Sequence, residues 1–208
     1  MPSPRKPKSA AKKSVSIASG SNRLIVGISG ASGIVYGLRL LEVLKGIGIE
    51  THLVMSKSAE VTLAYETTVK VAAVKALAHT TYSNTDIAAA ISSGSFKTRG
   101  MIIAPCSIRS VSEIATGVTS SLMSRAADVV LKERRRLVLV VRESPLHTGH
   151  LRTLTQASEI GAIIAPPMPA FYAQPETLAD LVDHTVGRVL DLFDVDAGLV
   201  RRWRSDDQ

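Results

Sequence analysis

The stretch that decides the fold runs from Arg23 to Leu44 and reads RLIVGISGASGIVYGLRLLEVL. Its first part, Leu24–Ile28, is apolar and rich in β-branched residues, as expected for a strand that is buried on both faces. Five small residues follow at Ser29–Gly33, and apolar residues then recur at helical spacing. A buried strand, a bare turn and an amphipathic helix form the opening unit of an α/β fold.

The rest of the chain repeats this alternation of strands and helices. Four further short apolar runs predict strands at Glu50–Met55, Met101–Ala104, Leu137–Val141 and Ala162–Ala165. Helical patterns lie between them, the clearest at Ile34–Lys45, Thr119–Glu133 and Glu176–Asp194. Five strands with helical crossovers predict a three-layer α/β fold with a doubly wound parallel sheet, Rossmann-type in architecture and flavodoxin-like in strand order.

Composition excludes two classes of partner. The 208 residues carry a net charge of +7, but five positive charges and no acid lie in residues 1–22, which leaves +2 for the remainder. Because aromatic residues make up only 4% of the chain, few side chains could stack on bases, and nucleic acid is not an expected partner. No apolar run approaches the roughly 18 to 20 residues of a membrane span, so none is predicted.

The sequence divides into a basic tail and one domain. Residues 1–22 are expected to be disordered, and residues 23–208 to form a single domain that ends in an arm containing Trp203. The one cysteine, Cys106, fits a reducing compartment and is expected to be a small buried residue. A cytoplasmic location is predicted, or a mitochondrial one if the basic segment is a transit peptide. No histidine has a carboxylate at metal-ligand spacing, so no metal site is predicted.

Small, hydroxyl and cationic residues follow the predicted strands. They are found at Ser29–Gly33, Ser56–Lys57, Ser107–Ser110 and Arg142–Ser144. Ligands of open α/β sheets bind at the carboxyl ends of the strands, and a glycine-containing turn before a helix N-terminus suits a phosphate. The turn at Ser29–Gly33 matches neither the P-loop nor the dinucleotide fingerprint. Two interpretations remain for it: a contact with a phosphorylated, nucleotide-like ligand, or a structural turn that binds nothing.

Several segments carry a resemblance to a known family, in the family's order and over the region from Arg23 to Trp203. Among them are GISGASGIVYGLRLLEVL, ISSGSFKTRGMIIAPCSI, LVLVVRESPLHTGHL and EIGAIIAPPMPAFY. They closely resemble the UbiX-type flavin prenyltransferases. The resemblance implies a flavodoxin-like subunit that binds reduced FMN and needs no metal. It also implies transfer of a dimethylallyl group from dimethylallyl phosphate, or in some members the diphosphate, to flavin N5 and C6.

The resemblance further implies an assembly, a product and a set of functional residues. The assembly is a homo-oligomer, expected to be a dodecamer with shared active sites, and the prenylated FMN passes to a UbiD-type decarboxylase. The matched FMN-binding residues are Gly30, Ala31, Ser32, Ser56, Ser107, Ile108, Arg109, Ser110 and Arg142. The matched substrate-binding residues are Tyr172, Arg188, Lys132, Arg125 and Glu66, and the matched catalytic residues are Glu143, Lys132 and Tyr172. Two positions depart from the family pattern, Arg109–Ser110 and Arg136.

Physical chemistry gives these residue types a purpose, although each position has a second interpretation. Breaking the allylic C–O bond places negative charge on the phosphate, which fixed cations stabilise, and Glu143 could assist proton movements as the new ring closes. Yet Arg188 lies at the edge of an apolar helical stripe, where arginines often snorkel, and Tyr172 could anchor a subunit interface. Arg125 and Lys132 could belong to a solvated helix face.

Two other functions stay open at this point. One is an FMN-dependent decarboxylase of the related cysteine-decarboxylase superfamily, whose catalytic histidine and Pro-x-Met-Asn-x-x-Met segment are not seen here. The other is a non-enzymatic FMN carrier, which would need the phosphate-binding loops but would have no use for the cations and Glu143 around the pocket.

Overall fold

The computed structural model describes residues 21–202. The expected tail at residues 1–20 and Trp203 of the expected arm lie outside this range. Ser21 and Asn22, which the sequence assigned to the tail, contact the domain: the Ser21 hydroxyl donates to the Lys97 carbonyl at 2.8 Å, and the Asn22 carbonyl accepts from the Glu50 amide at 3.0 Å. These two residues are therefore in contact with the domain that follows them.

Six parallel strands form one sheet in the described part of the chain. They are β1 (Arg23–Ile28), β2 (Glu50–Met55), β3 (Thr80–Ser83), β4 (Gly100–Cys106), β5 (Arg136–Val141) and β6 (Ala162–Ile164). The strand order is β3-β2-β1-β4-β5-β6, with every neighbouring pair parallel. From β1 the chain adds strands first on one side, β2 and β3, and then on the other, β4 to β6, so the strand order reverses between β1 and β4. The crevice beside these two strands is the expected ligand site of such a sheet.

All five predicted strands are present, and among themselves they keep the predicted flavodoxin-like order; with β3 added at the edge, the six strands have the order 3-2-1-4-5-6 of the Rossmann fold. The sixth, β3, was missed because its sequence, TTYS, is polar and only partly buried. It pairs with β2 alone and forms an edge of the sheet, where an apolar run is not required.

Helices cover both faces of the sheet. They are α1 (Ile34–Gly46), α2 (Lys57–Glu66), α3 (Val71–Lys75), α4 (Ile108–Ala115), α5 (Leu122–Lys132), α6 (Thr148–Glu159) and α7 (Leu178–Asp191). Apolar side chains of α1, α2, α3 and α7 pack on one face, and those of α4, α5 and α6 pack on the other. These two cores confirm the three-layer architecture.

A buried serine joins the two strands at the crevice. Ser29, directly after β1, is 1% exposed; its hydroxyl donates to the Pro105 carbonyl at 3.0 Å and accepts from the Ser107 amide at 2.7 Å. Gly30, the next residue, lies against the first turn of α2, where an added Cβ would clash with Ser58. The turn after β1 is thus held between the loop after β4 and the start of α2.

Candidate active site

Three helix N-termini meet around one cleft at the carboxyl ends of the strands. Helices α2, α4 and α5 begin after Ser56, Ser107 and Ser121, and each of these hydroxyls accepts a hydrogen bond from the amide three residues later. All three N-termini line a cleft of about 390 Å³. Because a helix N-terminus carries positive partial charge and outward-facing N–H groups, three of them together favour a bound anion.

The cleft is lined by many hydroxyl groups and few charges. The hydroxyl residues are Ser56, Ser58, Thr85, Ser107, Ser110, Ser120, Ser121 and Ser124. Two cations also line it, Lys57 and Arg109, and Arg109 pairs with Glu113 at 3.0 Å. Hydroxyls can donate to phosphate oxygens without adding charge, so this lining fits a phosphate monoester.

Some lining residues were missed by sequence reasoning. Asn84 and Thr85 follow the unpredicted strand β3, and the Asn84 side chain accepts from the Met123 amide at 3.1 Å. The serines at the start of α5 were missed because the helix was predicted to begin at Thr119, which is too early. The sequence pattern that could have shown the true start is a capping box, in which Ser121 and Ser124 each bond to the other's backbone amide.

The turn after β1 contacts an anion, but the anion belongs to the chain itself. The Glu66 carboxylate accepts from the Gly33 amide at 3.0 and 3.1 Å and from the Ile34 amide at 2.9 Å. Glu66 therefore occupies the N-terminus of α1 in place of a ligand, while the contact of Gly30, Ala31 and Ser32 with FMN stays a prediction. The pKa of Glu66 is raised by partial burial, but hydrogen bonds from Ser32, Ile34 and Gly33 and the charge of Arg142 outweigh that effect and lower it.

This contact makes stability depend on pH. Because the folded-state pKa of Glu66 lies below its ordinary value of 4.5, its contribution is present above that value and is lost as the pH falls through the folded pKa. We expect Glu66→Gln to cost about 0.3–1 kcal/mol at pH 7, as for an exposed anion at a helix N-terminus, and less at pH 3. Urea titrations at both pH values check this; an equal cost at both would contradict it.

The Ser29 bridge also allows a direct test. Ser29→Ala leaves the half-buried Ser107 amide without its acceptor, which should cost about 1–3 kcal/mol of unfolding free energy. Thermal unfolding should show a Tm lower by about 2–4 °C for each kcal/mol lost. Ser158→Ala, at an exposed position of α6, is the control and should change Tm little. An equal Tm for both variants would contradict the bridging role.

Comparison with known proteins places these features in a family. The Flavoprotein family model matches residues 12–190. Flavin prenyltransferase UbiX of Escherichia coli K12 is 59% identical over 185 residues, which cover 88% of this chain and 98% of the relative. The chain belongs to the UbiX-type flavin prenyltransferases.

Solved structures agree with this membership. The structure of AnUbiX (PadA1) in complex with FMN and dimethylallyl pyrophosphate is 49% identical, with a TM-score of 0.86, over 88% of this chain and 97% of that one. A dodecameric FMN-dependent UbiX-like decarboxylase from Escherichia coli O157:H7 gives the same identity and TM-score over 88% and 100% of the two chains. The flavodoxin-like fold of a UbiX-type flavin prenyltransferase is thereby confirmed.

The residues that resemblance assigned to FMN in this flavin prenyltransferase lie at one edge of the sheet. Gly30, Ala31 and Ser32 form the turn after β1, and Ser56, Ser107, Arg109 and Ser110 line the cleft beside it, whereas Ile108 is the first residue of α4 and does not line it. Arg142 follows β5, its amide donates to the Cys106 carbonyl at 3.1 Å, and its charge reaches Glu66. The structure therefore brings this first group together around the crevice.

A second group lies on α7 and in the segment that joins β6 to α7. Tyr172 is half-exposed in a single 3₁₀ turn, Phe171–Ala173, and its hydroxyl is 3.2 Å from His184 Nε2. Arg188 lies on α7 and bonds to Asp191 at 2.7 Å. It lines a groove of about 270 Å³ between α7 and the residues after β6. His184 and Asp191 were not predicted as functional, although their spacing of four and three residues from Arg188 on a predicted helix was a signal that they adjoin it. Nothing in the sequence places His184 beside Tyr172.

The two cations of α5 are not placed alike. Arg125 lies near the start of the helix and pairs with Asp128 at 2.8 Å. Lys132 is the last residue of α5, about 10 Å further along the axis, and pairs with Glu133 at 2.7 Å. Lys132 is followed closely by the start of β5, so it lies at the amino ends of the strands, whereas the cleft lies at their carboxyl ends. It therefore cannot serve the site of its own subunit.

Four other expectations can be compared with the structure. Glu143 follows Arg142 and its carboxylate accepts from the Ser144 amide at 3.0 Å, so it stays at the crevice edge. Cys106 is fully buried, and burial raises the pKa of its thiol, which makes it a poor nucleophile.

Between Ser21 and Arg202, no three His, Cys, Asp or Glu side chains are grouped to hold a metal ion, and no helix is long and apolar enough to cross a membrane.

Proposed function

We propose that this flavin prenyltransferase transfers a dimethylallyl group from dimethylallyl phosphate to N5 and C6 of reduced FMN, which gives prenylated FMN and inorganic phosphate. The observation that carries the proposal is the cleft at which α2, α4 and α5 begin. A site that presents three helix N-termini and many hydroxyls, with few charged groups, suits the phosphate of a mononucleotide. FMN has such a phosphate at one end and a flavin ring at the other.

The flavin ring would extend from this cleft toward the crevice between β1 and β4. The turn at Gly30–Ser32 is close to the cleft because Gly30 contacts Ser58, which lines it. Arg142 and Glu143 lie at the same edge, after β5. In this arrangement Arg142 contacts the flavin, and Glu143 stands beside the reacting edge.

Reduced FMN supplies the electron-rich N5 and C6 positions that accept the prenyl group. The chain's own residues have two tasks. Arg188 and Tyr172 hold the departing phosphate, which takes the electron pair of the broken C–O bond. Ring closure joins C6 to the tertiary carbon of the prenyl group and uses up the prenyl double bond, whose other carbon takes up a proton; Glu143 would accept the proton that C6 loses.

A complete site on this proposal needs more than one subunit. Lys132, at the far edge of its own sheet, would reach the prenyl phosphate of a neighbouring subunit, together with Arg125. Three apolar side chains near Tyr172 are largely exposed, Met168 (74%), Phe171 (76%) and Leu178 (82%), and suit a subunit contact. We therefore propose a homo-oligomer with shared active sites and twelve subunits, as in the dodecameric relative from Escherichia coli O157:H7.

Two further expectations remain predictions. One is delivery of prenylated FMN to a UbiD-type decarboxylase, which would use it as a cofactor. The other is a cytoplasmic rather than a mitochondrial location, since the basic segment that would decide between them lies outside the described residues.

The transfer can be tested through its leaving group. Purified protein, reduced FMN and dimethylallyl phosphate are incubated without oxygen, and inorganic phosphate is measured against the FMN consumed. The proposal predicts one phosphate for each FMN consumed. A carrier or a decarboxylase would release no phosphate from dimethylallyl phosphate and no pyrophosphate from the diphosphate donor, and the absence of both products would contradict the proposal.

A further inference from the structure

A buried imidazole on α7 has no role in the site described so far. His184 is 8% exposed, and its Nε2 lies 3.2 Å from the Tyr172 hydroxyl oxygen. The two rings also meet edge to face, with centroids 5.6 Å apart and an interplanar angle of 83°. A hydrogen bond and an aromatic contact together restrain both the position and the rotation of the phenol ring.

Tyr172 depends on such side-chain contacts more than most residues do. Its segment contains four prolines, Pro166, Pro167, Pro169 and Pro175, which lack the N–H groups that would form backbone hydrogen bonds. The 3₁₀ turn that carries Tyr172 is only three residues long. Its contacts with α7 are therefore a main means of orienting the phenol.

The same face of α7 carries Arg188. His184 and Arg188 are four residues apart, so they are neighbours on the helix surface, and both line the groove of about 270 Å³. Arg188 is oriented by Asp191, which also accepts two hydrogen bonds of 3.1 Å from Arg202. His184 thus touches one of the two proposed prenyl-phosphate ligands and adjoins the other.

We propose that His184 is a positioning residue, which holds the Tyr172 hydroxyl in the orientation that contacts the prenyl phosphate. This inference rests on the proposed function. His184 acts through Tyr172 and does not touch the substrate itself.

The direction of the hydrogen bond completes the argument. Burial, together with the charge of Arg188, lowers the pKa of His184 against the opposite effect of Asp191, so the imidazole is neutral at pH 7. In the tautomer with the proton on Nε2, His184 donates to the phenol oxygen. The phenol then directs its own proton to a phosphate oxygen. An uncharged imidazole can do this without competing with the Arg188 charge for the phosphate.

The test is a double-mutant cycle between His184 and Tyr172. His184→Phe keeps a ring but removes the hydrogen bond; it should raise KM for dimethylallyl phosphate about 2- to 12-fold, the range of one net hydrogen bond. The Kd for FMN should not change. Since His184 acts through the Tyr172 hydroxyl, adding His184→Phe to Tyr172→Phe should have no further effect on KM. His184→Gln, which retains a donor, should lie between wild type and His184→Phe.

The chain offers a matched control in another buried histidine and tyrosine. His52 is 3% exposed, its Nδ1 lies 2.9 Å from the Tyr82 hydroxyl, and β2 carries it towards the opposite edge of the sheet. His52→Phe should lower Tm but leave KM unchanged. An effect of His184→Phe that is as large with Tyr172→Phe as without it, or an unchanged KM, would overturn the proposal. A wild type that transfers no prenyl group would instead contradict the proposed function itself.

Discussion

Arg188→Ala is expected to lower kcat/KM for dimethylallyl phosphate by about 30- to 150-fold while the Kd for FMN stays the same. A charge-assisted hydrogen bond to a phosphate contributes about 2–3 kcal/mol, and in this reaction the charge on the phosphate grows as the C–O bond breaks. The cleft where α2, α4 and α5 begin does not include Arg188, so FMN binding should not depend on it. Steady-state kinetics and a separate FMN titration measure the two quantities.

The matched control for this variant is Arg136→Ala. Arg136 forms a comparable exposed pair with an aspartate, Asp194, at 2.6 Å, but it lies where β5 begins, at the far edge of the sheet. Its removal should leave kcat/KM unchanged. Loss of FMN from purified Arg188→Ala, or an equal loss of activity in both variants, would contradict the assignment of Arg188 to the prenyl phosphate.

Glu143→Gln is expected to slow ring closure by about 100-fold or more, since a positioned general base contributes roughly 10²–10⁴ in rate. Glutamine has nearly the same shape and can still accept from the Ser144 amide, so the loop should keep its structure. FMN and dimethylallyl phosphate should bind as before. A single-turnover experiment under anaerobic conditions measures the rate of product formation directly.

Glu159→Gln provides the control for the same chemical change. Glu159 is the exposed last residue of α6, away from the crevice residues. Its replacement should leave the single-turnover rate unaltered. An unaltered rate in Glu143→Gln would remove Glu143 from the mechanism.

Local patterns predicted the parts of the fold that depend on local chemistry. The stretch Arg23–Leu44 could be assigned because its strand is buried on both faces and its helix on one, so each shows a clear apolar pattern. Strand β3 was not predicted because an edge strand can be polar and so shows no apolar run. Helix α5 begins three residues later than predicted because Ser121 caps it, and the serines before it lie outside the helix.

The arrangement of the candidate site was harder to predict than the fold, because it depends on tertiary contacts. That the turn after β1 meets an anion could be inferred from its glycines and the following helix, but Glu66 reaches it from the end of α2, a contact that no local pattern reveals. Likewise, His184 meets Tyr172 only because α7 packs beside the proline-containing segment. The sequence also could not show that Lys132 lies at the far edge of its own subunit.

The most direct test of the account is the mass of the flavin after reaction. The purified protein is incubated anaerobically with reduced FMN and dimethylallyl phosphate, and the flavin is then extracted and weighed by mass spectrometry. The account predicts FMN that has gained one five-carbon prenyl unit. Unchanged FMN, with both the monophosphate and the diphosphate as donors, would contradict it.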